Sequence, residues 1–445
     1  RYCHHGVNSM RIFIIGHCSL HWGRLEFGNI GNYYIIEPSI RELHRVFPEA
    51  EIVTTFQMTE EFCRREKISC VPMELYYSWS EHDLDNSFKE LGIAFIFNST
   101  GKLNASTPYI EEVLKSDLII DISGEMWGYH AELVGKNRFL VGLIKDRVAQ
   151  LLHKPVVMLA GSQGPFPDEK TREFAKQVFK SFSLVTNREA ETTEVLLKDG
   201  FDISNLKVFA CPAFLFEPKP DSEMSGIFAR EKIKDKNKKT VGFVLCGFNM
   251  LEQPYDKWPR KDEEYTQFAE AIEFVVNDLG ARVVLMSHTN GFELPPNFKL
   301  IQGRDFLIVT QLFGVLEKRG NVKMEHVACL KGPYDPWETK AIIKQFDMFI
   351  SGRLHAAVAA LSQNVPTVMI MHGQGPKSHK IIGFSKIAGV DDYVAYPNSA
   401  QDMTSKIHLC WENKDKIREH LSKRMPTVKE TARNGFEAIR EIFYG

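Results

Sequence analysis

Short apolar runs alternate with helix-patterned segments along most of this chain, and that alternation restricts the folds open to it. Residues 12–15, 52–55, 94–97, 118–122, 156–160, 184–186 and 208–210 are rich in Ile, Val, Leu, Phe and Ala. Most are separated by segments of helical pattern, such as 38–47 and 138–153. A strand buried on both faces reads as a nearly continuous apolar run, and strands alternating with helices build a parallel sheet covered on both sides. A polar stretch then interrupts the pattern. Phe216-Glu217-Pro218-Lys219-Pro220 is followed by the lysine-rich residues 231–239, which reads as a linker. After it the alternation restarts, with strands expected at 241–246, 282–286, 348–350 and 367–371 and helices at 263–279, 338–345 and 356–362. The expected fold is α/β, with two Rossmann-like domains facing across a cleft and mainly parallel sheets. The N-terminal domain is placed at residues 10–220 and the C-terminal domain at 221–401. Residues 402–445 form a helical segment packing back across the domains.

Composition enters at two points. The net charge is -2, from 55 Lys and Arg against 57 Asp and Glu, so the overall basic excess of a nucleic-acid binder is missing and no nucleic-acid partner is expected. The eight cysteines are scattered without a C-x-x-C pair, which argues against a structural zinc site or a disulfide framework and fits a reducing compartment. No run of 18 apolar residues is present, so no spanning helix is expected. No apolar segment of the signal-peptide kind precedes the first strand, and Met10 reads as the natural start.

The residues with the most chemical content lie where strands give way to helices. In Ser351-Gly352-Arg353-Leu354-His355, an arginine and a histidine leave a strand and enter the first turn of a small-residue helix. Ligands of open α/β sheets bind at the carboxyl ends of strands, and a helix amino terminus favours anions. Arg353 is read as an anion grip, His355 as a general acid or base, and Leu354 as a backbone N–H donor. The residues equally allow Arg353 a structural carboxylate partner and His355 a satisfied place in the core. Ala160-Gly161-Ser162-Gln163-Gly164-Pro165-Phe166 makes a rigid loop suited to an anion, with Ser162 and Gly164 as its candidates, and lacks the Lys-Ser/Thr of a Walker loop. Arg188 ends the next strand and offers a two-pronged grip, or pairs with a nearby glutamate. The loop after Met371 carries His372, Lys377, His379 and Lys380, a cationic set suited to an anionic ligand. Asn29 in Gly28-Asn29-Ile30-Gly31, Glu125 in Ser123-Gly124-Glu125 and His288 in Ser287-His288-Thr289 are further strand-end candidates. Each also reads as ordinary loop structure.

Read together and in order, these pieces resemble one family. Gly28–Gly31, the Gly161–Phe166 loop, Arg188-Glu189, Cys211-Pro212-Ala213-Phe214 and Ser351–His355 follow the motif order of polysaccharide pyruvyl transferases. The first loop ends in Gly31-Asn32, where that family commonly has Gly-Asp. The resemblance implies a GT-B-like architecture and transfer of the pyruvyl group of phosphoenolpyruvate onto two hydroxyls of a hexose, giving a cyclic ketal. It implies no cofactor beyond phosphoenolpyruvate as donor substrate, and no metal. It implies a glycan or lipid-linked saccharide as acceptor, a cytoplasmic location, and room for peripheral membrane association. The donor then belongs with the C-terminal domain, where Arg353, Leu354, His355, Lys377, His379 and Lys380 lie, helped by Arg188, Ser162 and Gly164. The acceptor side takes Asn29, Glu125, His288 and His372. Two other readings stay open: a nucleotide-sugar glycosyltransferase of the same architecture, and a noncatalytic anion- or sugar-binding protein.

Overall fold

The computed structural model describes residues 10–17, 28–233, 237–293, 299–374 and 379–444. Fifteen strands follow in chain order among them. The first seven are β1 (Arg11–Ile15), β2 (Glu51–Thr54), β3 (Ile68–Cys70), β4 (Leu118–Asp121), β5 (Val156–Gly161), β6 (Leu184–Asn187) and β7 (Leu206–Val208). The rest are β8 (Thr240–Val244), β9 (Arg282–Met286), β10 (Asn290–Phe292), β11 (Leu300–Gln302), β12 (Val327–Cys329), β13 (Met348–Ser351), β14 (Thr367–Ile370) and β15 (Val394–Ala395).

The chain divides into two compact units, and each carries one parallel sheet. The first unit's sheet has the order β3-β2-β1-β4-β5-β6-β7. Ile12 lies opposite Ile52 on one side and Leu118 on the other, so β1 is central. Strands β4 and β5 are buried along their whole length, while the edge strands β3 and β7 are short and partly exposed. That is what helices on both faces produce. On one face Trp127 anchors an aromatic cluster, its ring 5.6–6.0 Å from Phe139, Phe166, Phe179 and Phe182. The second unit's sheet has the order β12-β9-β8-β13-β14-β15, again parallel throughout, and a short antiparallel ladder joins β10 to β11. Both units are therefore Rossmann-like. In each the strand order reverses beside the first strand, between β1 and β4 and between β8 and β13. A crevice at the carboxyl ends of those strands follows from that reversal.

Three expectations need correction. Residues 94–97 are not a strand but the last turns of the helix Asp83–Thr100. Their apolar run is too short to distinguish the two, and the acidic first turn and left-handed Gly101 cap favour the helix. The division falls at 211/212 rather than at 220/221. Residues after Cys211 pack inside the second unit, where Phe216 lies against Tyr34 at 4.5 Å and Trp337 at 5.8 Å, and Phe214 stacks on Phe384. Finally, residues 26–38 belong to the second unit and residues 431–445 to the first, so neither unit is one continuous stretch. The helices Ile30–Val46 and Lys414–Tyr444 each contain a proline, Pro38 and Pro426, near those changes of unit.

Candidate functional site

The second unit's switch point is built around one buried amide. Asn249 donates to the carbonyls of Gly352 and Met371 at 3.2 and 3.3 Å and accepts from the Cys246 N–H at 3.0 Å. It thereby ties together the chain leaving β8, β13 and β14. Gly352 is required there, because a Cβ would lie 2.0 Å from the Asn249 Oδ1. The Ser351 hydroxyl then donates to the Arg353 carbonyl at 2.6 Å, and the chain enters the helix Leu354–Leu361. Leu354 is its first residue, so its N–H has no acceptor within the helix.

Arg353 does not extend freely toward a ligand. Its Nε and Nη2 donate to the two carboxylate oxygens of Asp305 at 2.8 and 2.7 Å. Asp305 is fully buried and Arg353 is 8% exposed. The expectation that Arg353 offers its whole fork to a substrate anion is therefore corrected: Asp305 occupies both prongs, and Nη1 is the nitrogen left for another acceptor. Asp305 is itself placed by the Thr289 hydroxyl, which accepts its N–H at 2.9 Å.

His355 is half-buried, in the first turn of an otherwise buried helix. Its ring meets Phe384 edge-on at 5.9 Å. Across from it is Gly31, where a Cβ would come within 2.5 Å of the His355 Cβ. The glycine of the first motif thus makes room for the histidine of the last. Asn29 accepts the Gly31 N–H at 2.9 Å and forms a bridge with Thr289. It also lines a cavity of about 450 Å3 shared with Thr289, Asn290, Gln302 and Arg304.

The other second-unit candidates fare differently. His288 is completely buried, its Nε2 3.4 Å from the Tyr34 hydroxyl and its Nδ1 without a partner among the described residues. Burial, with the nearby Arg353 cation, holds its pKa down at about 3, so it is neutral and enclosed rather than a group facing an acceptor. His372 stacks on Phe248 at 5.1 Å, Phe248 on Tyr255 at 4.4 Å, and Arg304 lies over Tyr255 at 5.2 Å. His379 opens the helix His379–Ala388 half-buried, and Lys380 beside it is buried. Lys377 lies outside the described residues.

A second polar cluster sits at the switch point of the first unit. Arg188 is 3% exposed and donates from Nε to the Ser162 hydroxyl at 2.9 Å, which donates on to Glu189 at 3.0 Å. Ser162 is a link in that chain rather than a hydroxyl presented by an open loop. Gly164, with φ +94, turns the same loop. Gly124, whose φ of +61 suits glycine, lies beside the Arg188 guanidinium. Glu125 follows, half-buried. Sequence reasoning missed His17, directly after β1, whose ring meets Phe56 edge-on at 5.7 Å. Burial, then the cations Arg138 and Arg188, lower its pKa to about 4 against the opposing charge of Glu125. The available signal was position: Gly16-His17 ends the strand at which the order reverses. The candidates thus fall into two sets, with Ser162, Gly164, Arg188 and Glu125 in the first unit and the rest in the second.

Two Rossmann-like units with polar crevices at their switch points define the GT-B class of transferase folds. The model of the polysaccharide pyruvyl transferase family matches residues 29–374, and the chain belongs to that family. It is similar to the amylovoran biosynthesis protein AmsJ of Erwinia amylovora, with 21% identity over 432 residues, 93% of this chain and 95% of that protein. Among solved structures it is similar to a glycosyltransferase from Rickettsia africae, at 10% identity and a TM-score of 0.59, covering 98% of this chain and 99% of that one. HepE from Anabaena in complex with UDP matches at 13% identity and a TM-score of 0.58, over 98% and 99% of the two chains. The UDP-GlcNAc 2-epimerase from Neisseria meningitidis matches at 11% and 0.58, over 98% and 100%. These likenesses establish the fold. Family membership places the chain among transferases that modify polysaccharides, and no described helix is long and apolar enough to cross a membrane.

Two outcomes are expected from this geometry. Replacing Asp305 by Ala leaves the buried Arg353 without its partner and costs about 3–5 kcal/mol of stability, measured by denaturant titration. A cost below about 1 kcal/mol would show that the pair does not organise the site. For His288, the unfolded chain binds a proton near pH 6.5 and the folded one only near about 3. Its contribution is complete above about pH 6.5 and is lost as the pH falls toward the folded value, with a slope of up to about 1.4 kcal/mol per pH unit. In His288→Gln that part of the acid destabilisation disappears, read from unfolding free energies between about pH 4.5 and 7.

Proposed function

We propose that this protein transfers the pyruvyl group of phosphoenolpyruvate onto two hydroxyls of one hexose in a glycan, forming a cyclic ketal and releasing inorganic phosphate. Family membership supports the reaction class. The observation that carries the residue assignment is His355, half-buried in the first turn of the helix Leu354–Leu361 behind a fixed cation, Arg353.

The reaction needs a proton on the methylene carbon of the donor, which becomes a methyl group. It then needs attack by one hydroxyl at the adjacent carbon, departure of phosphate, and attack by the second hydroxyl. Two protons leave the two hydroxyls; one ends on the methyl carbon and the other on phosphate. His355 is assigned the proton transfer, since imidazole is the side chain most often used as a general acid or base and this one stands half-buried at the helix start. The Leu354 N–H and the Nη1 of Arg353 are assigned to the donor's negative oxygens. Because Asp305 neutralises much of the Arg353 charge, the helix amino terminus and further cations must share that work. His379 and Lys380, at the start of the next helix of the same unit, and Lys377 are assigned there. His372, held flat against Phe248, is assigned to shaping the sugar side together with Asn29. In the first unit Arg188, with Ser162 and Gly164 shaping its loop, is assigned to an anionic group, and Glu125 to a sugar hydroxyl. No cofactor is part of this reading, the donor being a substrate.

The test is release of phosphate from phosphoenolpyruvate that depends on an added glycan acceptor. His355→Ala is expected to keep its thermal midpoint and lose turnover by about 10²–10⁴-fold. Gly31→Ala, a helical position where the new methyl meets His355, is expected to lower turnover in the same direction. Turnover of His355→Ala within a few-fold of the native chain removes it from the mechanism. Turnover of a nucleotide sugar, without acceptor-dependent phosphate release from phosphoenolpyruvate, overturns the reaction itself.

A further inference from the structure

The helix Asp83–Thr100 of the first unit carries large apolar side chains on its outer face as well as its inner one. Its inner face buries Ser87, Glu90 and Ala94, and Leu84, Leu91 and Phe97 pack against the core beside them. Glu90 there holds Lys145 in a buried ion pair. Its outer face carries Phe88 and Phe95, 49% and 51% exposed, with Ile96 beside them at 40%. Single exposed apolar side chains are ordinary, but these are spaced. Lys102, just past the Gly101 cap that ends the helix, is exposed, and within the helix the exposed Asp85, Phe88, Gly92, Phe95 and Ser99 follow one another in alternating steps of three and four. That is the spacing of a coiled-coil seam.

Gly92 is a second, independent anomaly. It lies in mid-helix without a positive φ, and a Cβ there would meet nothing within 4 Å. Glycine inside a helix destabilises it relative to alanine. Neither conformation nor packing within the chain requires that glycine.

We propose that this seam pairs with the same seam of a second copy of the chain, antiparallel about a two-fold axis. Setting Phe95 of one copy over Gly92 of the other fixes the rest of the register. Phe88 then faces Ser99, and Asp85 comes opposite the partner copy's chain just past its Gly101 cap, where Lys102 stands. Each large side chain meets a small one, and opposite charges meet at both ends. In antiparallel coiled coils the two kinds of seam position face each other, and small residues let the axes approach toward the close end of about 8–10 Å. A parallel pair would instead set Phe95 against Phe95, Gly92 against Gly92 and Asp85 against Asp85. The pairing is self-complementary, as a two-fold interface must be. It also supplies the reason for Gly92, which is to admit the partner copy's phenylalanine. The seam carries an acid at one end and a base at the other, a pattern that answers a second copy better than an anionic bilayer, which draws a lysine excess.

The test is light scattering and sedimentation equilibrium of the full chain across a dilution series. The native chain is expected to be a dimer that dissociates on dilution. Phe95→Glu is expected to be monomeric throughout with an unchanged thermal midpoint, because Phe95 is exposed. Gly92→Leu fills the notch, so it is expected to lose the dimer while raising the thermal midpoint; this keeps loss of pairing distinct from loss of folding. Asp85→Lys and Lys102→Asp should each weaken the dimer by about three- to tenfold, and the two together should restore it. A native chain that is monomeric at every concentration overturns the proposal, and so does a Phe95→Glu chain that pairs normally. Charge reversals that fail to rescue each other overturn the register. Binding of a monomeric native chain to phosphatidylglycerol vesicles would assign the face to a membrane and overturn the pairing.

Discussion

The ion pair between Arg353 and Asp305 sets the geometry of the second unit's switch point. Both groups are buried, so each has lost its water, and attraction between them compensates only when the hydrogen bonds are well formed. Here two parallel N–H bonds satisfy that condition. The pair joins the turn after β13 to the helix Arg304–Arg319, and through the Thr289 hydroxyl to the chain following β9. His355 lies two residues along from one partner. The cation also reaches His288, adding to burial in keeping that imidazole neutral. Removing either charge would thus disturb the site by displacing its frame before any ligand arrives.

Two glycines show how a motif acquires its meaning from packing. Glycines at strand ends are commonly explained by close approach of a ligand to the backbone. Gly31 and Gly352 have another explanation within the fold itself. At Gly31 the missing side chain leaves space for His355, and at Gly352 it leaves space for Asn249, which ties three strand ends. Gly31 therefore acts on the catalytic candidate directly, and Gly352 through the frame that holds it.

Much of the fold was legible because parallel strands buried on both faces read as apolar runs, and β1, β4, β5, β8, β9, β13 and β14 do, with polar residues such as Arg11, Asp121 and Arg282 only at their ends. What stayed illegible was either short or distant in sequence. The strands β3, β10, β11 and β12 are three residues each, too few for a period to register. Residues 94–97 looked like a strand because Phe95 and Ile96 face outward from a helix, where a charged pattern is usual. The position of Arg353 was readable, but its partner was not, because Asp305 lies 48 residues earlier and nothing local links the two. His17 was visible only after the strand order was known, since its importance comes from the reversal beside β1.

The two units share a strand order yet carry different chemistry at the same topological point. In the first, cations Arg138 and Arg188 and the carboxylate Glu125 surround His17, and its pKa falls to about 4. In the second, the arginine is largely matched by Asp305, and His355 sits half-buried just beyond it. A histidine held neutral among cations is poised to accept a hydrogen bond rather than to deliver a proton. One half-buried at a helix start, behind a compensated cation, is better placed to do both. The sheet fixes where each histidine stands, and the charges around it, drawn from distant parts of the sequence, decide what it is able to do.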